Sequence, residues 1–187
     1  MRSISLSLLA ILYFFLASVH ALSSSTACVS TSSGSGSISL VSSGTAAPIY
    51  IAADEWPGVY RAATDFSTDV QRVTGVTPKI SNITGTSITA LTSKQGTPVI
   101  IGTLGHSSLV DAVLGHSNST QIFAALNGSW ESYHAQRMSN PLPGVNEAYV
   151  IAGSDKRGTI YALYELSEQA GVSPWFWSVP LCFTTRH

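Results

Sequence analysis

The apolar positions of this chain fall into blocks of two kinds. One kind is short and nearly continuous, as in a strand covered on both faces: 47–53, 98–102 (Val99, Ile100 and Ile101) and the run through Tyr149, Val150 and Ile151 into Ala152. The other kind repeats at helical spacing. Val59, Ala62, Ala63, Phe66, Val70 and Val73 predict a helix over 57–74 with one buried stripe. Asp54 and Glu55 sit at its favourable N-terminal end, Pro57 is in its first turn and Gly75 stops it. Asp65 and Asp69 fall on its outer face and are expected to be solvated. Ile160, Leu163, Tyr164 and Leu166 predict a second helix, capped by Ser154 and Asp155 and stopped by Gly171 and Pro174.

Weaker patterns fill the intervals. They predict an edge strand at 37–41, a strand at 78–83, a helix at 107–114, a helical turn at 121–126 and an alternating strand at 130–138. In the last of these Glu131, Tyr133, Ala135 and Arg137 share one face, Trp130, His134 and Met138 the other, and Asn140-Pro-Leu-Pro143-Gly144 makes a tight turn after it. The polar block 87–95 is ambiguous. Strands alternating with helices give an α/β fold: a mixed, mainly parallel sheet of about four to six strands flanked by helices.

The ends of the chain read differently. Arg2 precedes an apolar run from Leu8 to Val19, and Val19-His20-Ala21 fits a small-residue cleavage site, so residues 1–21 are expected to be a signal peptide. Residues 22–46 form a Ser/Thr/Gly-rich lead-in, 47–177 the α/β domain, and 178–187 an atypical tail. The net charge of −1 becomes more negative once Arg2 is removed, and no basic patch emerges, which excludes nucleic acid as a partner. After cleavage no membrane partner is expected. The chain is expected to be secreted and extracellular, and Asn82, Asn118 and Asn127 head N-glycosylation sequons in keeping with that route. Cys28 and Cys182 are two cysteines near opposite ends, which prescribe no bridge.

Candidate chemistry is sparse. Lys156 and Arg157 fall on the first turn of the last helix, where cations oppose the helix dipole. An anion held by free N–H groups and both side chains would reverse the balance; alternatively, the side chains swing outward and are solvated or paired with an acid. Gly153 and Gly158 do not make a P-loop, because Thr159 and Ile160 follow where Lys and Ser/Thr are needed. Gly102 and Gly105 permit close approach by a ligand or, more simply, tight strand-to-helix packing. His106 and His116 lack a third ligand at metal spacing, and no metal or cofactor is expected. Glu165 and Glu168 read as a solvated face and not as a glycosidase pair, which needs carboxyls about 5–10 Å apart across a cleft.

Four stretches together carry a resemblance: APIYIAADEWPGVYRAATDFSTDVQRVTG (47–75), PVIIGTLGHSSLVD (98–111), WESYHAQRMSNPLPGVNEAYVIAGSDKRG (130–158) and AGSDKRGTIYALYELSEQAGVSPWFW (152–177). In order and spacing they resemble the N-terminal domain of glycoside hydrolase family 115, the xylan α-1,2-glucuronidases. The resemblance implies a secreted enzyme domain acting on (4-O-methyl)glucuronic acid side groups of glucuronoxylan or its oligosaccharides. It further implies that the catalytic carboxylates lie in a (β/α)₈ barrel after this domain, so that no catalytic residue is expected in this chain. Dimerisation is then expected only of a full-length enzyme. By the same resemblance Asp155, Lys156 and Arg157 could rim the uronic acid carboxylate. Because aromatic faces bind the apolar faces of sugars, Trp175 and Trp177 could stack on sugar rings, or else be buried as anchors against the barrel. The tail shares only Val179-Pro180 with the family pattern, which suggests a truncated or alternative end. A stand-alone carbohydrate-binding module and a non-functional truncated product are the alternatives.

Overall fold

The computed structural model describes residues 29–30, 37–85, 96–116 and 119–172. The expected leader, both cysteines, the block 87–95, Asn118, Trp175, Trp177 and the tail lie outside the described residues. In chain order the elements are β1 (Val41–Ser42), β2 (Thr45–Ala46), β3 (Ile49–Ala52), α1 (Pro57–Thr74), β4 (Ile80–Ile83), β5 (Val99–Thr103), α2 (Ser108–His116), α3 (Thr120–Leu126), β6 (Tyr133–Leu142), β7 (Val145–Gly153) and α4 (Lys156–Gln169).

Strands β3 to β7 form one five-stranded sheet in the order β4-β3-β5-β7-β6. Its three inner pairings are parallel and the β6–β7 hairpin is antiparallel. The period-2 alternation of a strand decides which helix each side chain meets. Ile49, Ile51, Val99, Ile101 and Ile151 pack with Val59, Phe66 and Val70 of α1 and Leu163 and Leu166 of α4. Tyr50, Ala52, Ile100, Val150 and Ala152 pack on the opposite face with Leu109 and Val113 of α2 and Ile122 and Leu126 of α3. With helices on both faces, the inner strands read as continuous apolar runs, as the mainly parallel α/β expectation requires. Among the described residues, no helix is long and apolar enough to cross a membrane.

Several expectations need correction. The edge strand at 37–41 is instead a separate two-stranded ribbon, β1 against β2, closed by Ser43 and Gly44, both at positive φ (50° and 75°). A two-residue turn with left-handed backbone at both positions pairs only its own flanks. Strand β6 runs through the expected turn: Leu142 pairs with Val145, so Pro143-Gly144 is the loop, and an irregularity between Ser139 and Leu142 absorbs Asn140 at φ 48°. Val73 is 52% exposed because the buried stripe of α1 ends a turn earlier, at Val70. Asp69 is not solvated but only 7% exposed, held by Arg72 Nη1 at 2.6 Å. Tyr164 is exposed, its hydroxyl donating to Asp65 Oδ2 across the α1–α4 seam at 3.1 Å.

Candidate functional site

Ligand sites in open α/β sheets form beyond the C-terminal ends of the strands, where successive crossovers part to opposite faces. Here that point lies between β3 and β5, because α1 leaves β3 for one face and α2 leaves β5 for the other. The crevice is closed by the chain itself. Glu55, 8% exposed, accepts from Thr103 N at 2.6 Å (Oε2), from Thr103 Oγ1 at 3.0 Å and from Trp56 N at 2.8 Å (Oε1). Thr103 Oγ1 lies 2.9 Å from Thr159 Oγ1 in the first turn of α4. Thr159 Oγ1 also donates to the Asp155 carbonyl oxygen at 3.1 Å, so its one proton is shared between that oxygen and Thr103. This buried Glu–Thr–Thr chain joins β3, β5 and α4 at one place. Sequence reasoning assigned Glu55 to the dipole of α1, whereas the carboxylate serves a strand end 48 residues away. Asp54 likewise faces away from α1: both its oxygens lie 3.4 Å from Ser108 N at the start of α2.

Above the clasp stands an aromatic pair. Trp56, the N-cap residue of α1, stacks on His106 with centroids 3.8 Å apart and planes 12° apart. Trp56 remains 41% exposed, and Lys156 Nζ lies 5.8 Å from its ring centroid, within cation–π range. Neither Trp56 nor His106 was picked out as a binding residue from the sequence. The only available signals were an aromatic just before a helix-starting Pro and a His just after a strand-end Gly-rich turn.

The N-terminus of α4 is built from Ser154 to Gly158. Asp155 Oδ1 accepts from Gly158 N at 2.8 Å and Oδ2 from Glu131 N at 2.7 Å, so one carboxylate caps the helix and ties down the entry to β6. Ser154 adds a second tie, donating its N–H to Ser132 O at 2.8 Å and accepting from Ser132 N at 3.0 Å. Burial pushes the Asp155 carboxyl up. That is outweighed by the Gly158, Glu131 and Arg157 backbone N–H groups and the Arg157 charge, which hold it below the ordinary range. The two cations part. Arg157 donates to Tyr161 Oη at 2.9 Å and lies 2.7 Å from Glu131 Oε1, a bond and a charge that raise its pKa further. Lys156 turns the other way, to Trp56. Of the two readings of this turn, the acid-paired one holds for Arg157, Asp155 occupies the cap of the helix, and Asp155, Lys156 and Arg157 do not converge on one point.

The glycines here are packing devices. A Cβ on Gly158 would strike Ser132 O, one on Gly153 would strike Thr159 Oγ1, and one on Gly102 would strike Ser107 Oγ. Gly102 therefore fulfils the tight-packing reading. Among the described residues no three His, Cys, Asp or Glu side chains form a group able to hold a metal.

No protein-family model and no curated protein matches this chain. Among solved structures it is similar to a family GH115 4-O-methyl-α-glucuronidase, BtGH115A, described as specific for decorated arabinogalactans, at 26% sequence identity with a TM-score of 0.50. The likeness covers 73% of this chain, and the chain spans 15% of the length of that enzyme. The fold is that of a glycoside hydrolase-related α/β domain.

Proposed function

We propose that this chain forms the front α/β domain of a secreted glycoside hydrolase that removes (4-O-methyl)glucuronic acid from xylan, and that it contributes acidic-sugar binding, not turnover. The observation that supports a glucuronidase is the likeness over 73% of the chain to part of a 4-O-methyl-α-glucuronidase, while xylan as the polymer comes from the sequence resemblance. The match takes in 15% of that enzyme, and we assign bond cleavage to the barrel that the sequence resemblance implies beyond this domain. The binding role falls on Trp56, His106 and Lys156. A uronic acid presents an apolar sugar face and a carboxylate, and an exposed indole beside an ammonium offers a complement to each. Arg157 is already engaged by Glu131, which leaves Lys156 as the cation a uronate meets.

Retention on immobilised glucuronoxylan, set against xylan stripped of its uronic acid, tests the binding role. Liberation of glucuronate from the polymer tests the assignment of turnover. The expected result is preferential retention without release; equal retention on both polymers would remove the uronate specificity. The same corner would equally serve a binding module acting by itself, and retention is the readout common to both.

A further inference from the structure

We propose that Asn127 is an N-glycosylation site whose first sugar seats against Phe123. Asn127 ends α3 with φ −66° and ψ 119°, Gly128 follows at φ 76°, and Ser129 N donates to Leu126 O at 3.1 Å. These angles make a type II turn, which presents the Asn127–Gly128–Ser129 sequon at a corner. Asn127 is exposed, and Phe123 is an apolar ring left 45% exposed one helical turn earlier. Both line a surface depression of about 380 Å³ whose floor includes Leu104, Leu114 and Leu126. Trp130, 79% exposed, lies just past the sequon but does not line it.

The chemistry requires a lipid-diphosphate-linked oligosaccharide as donor. A bond forms between Asn127 Nδ2 and C1 of N-acetylglucosamine, the C1–O bond to the diphosphate breaks, and an amide proton is released. The C–H face of that sugar then covers Phe123, which otherwise stays in water. Asn82, exposed on the outer strand β4, serves as an internal comparison. The inference rests on the secretory route proposed above, but not on uronate binding.

The test expresses the full chain with its own leader in a eukaryotic secretory host, with peptide mapping after enzymatic deglycosylation. Asn127 is expected to be converted to Asp, and Ser129→Ala to abolish that conversion. An unmodified Asn127, whether or not Asn82 is occupied, overturns the proposal; a glycan on Asn82 alone would leave the secretory route standing. Removing the glycan should lower Tm by about 2–4 °C in the parent chain and leave Phe123→Ala unchanged. An undiminished shift in Phe123→Ala, or a shift lost in Trp130→Ala instead, overturns the assignment of the sugar to Phe123.

Discussion

At the scale of single residues the sheet edge depends on two carboxylates. Glu55→Ala leaves the buried Thr103 N–H without its acceptor, and the expected loss is about 1–3 kcal/mol, read as a lower urea midpoint at unchanged slope. Glu55→Gln keeps one acceptor oxygen and should cost less. Asp155 makes a pH-dependent contribution whose sign is fixed by its depressed pKa. Its stabilisation is complete above the ordinary value of 3.8 and is lost as pH falls through the lower folded value. Asp155→Asn supplies one acceptor for two N–H groups, so Tm should fall at neutral pH and its decline below about pH 4 should flatten. Thermal scans of both proteins from pH 7 downward check this; parallel curves would show that the carboxylate charge has no such part. The Asp155 cap was legible because its partner Gly158 is three residues away. Glu55 was not, since nothing local distinguishes a dipole-facing acid from one that reaches another strand.

At the scale of elements, packing is set by where helices meet the ends of strands. Gly158→Ala pushes a methyl group into the Ser132 carbonyl, so α4 or the entry to β6 has to move, at an expected cost of about 1–3 kcal/mol. Gly58→Ala is the contrast. In the first turn of α1 its Cβ would meet Ile160 Cδ1 at 3.6 Å, an ordinary contact, and the expected outcome is a gain of about 0.4–1 kcal/mol. Opposite Tm shifts for the two variants check the pair together. Element types followed from the hydrophobic period, as in α1, whose bounds of Pro57–Thr74 are those its Pro and Gly signals mark. Strand β6 was likewise legible as a strand from its alternation, but its end was not, because Asn140 and Pro141 resemble a turn locally, whereas pairing with β7 draws them into a bulged ladder.

At the scale of the whole molecule, Trp56, His106 and Lys156 follow three different strands, β3, β5 and β7, and are gathered beyond the C-terminal ends of those strands. Trp56→Ala is expected to weaken binding to uronic acid-bearing oligosaccharides on the order of tenfold, about 1.4 kcal/mol, with Tm little changed. Lys156→Gln should weaken it less and make the residual affinity insensitive to salt, since the charge it removes is exposed and screened. Titration calorimetry at low and high ionic strength separates the two contributions. Unchanged affinity in both variants would remove the corner from the binding role.

The alternation of buried strands with amphipathic helices determined the α/β class, the mainly parallel sheet and the cap of α4, because each follows from residues within a few positions of one another. Only the tertiary structure decided which strands are neighbours, that the crevice between β3 and β5 is filled by Glu55, and that Trp56 meets His106 and Lys156. Those contacts join residues some 50 to 100 positions apart, and a sequence pattern of period 2 or 3.6 carries no information about pairing at that range.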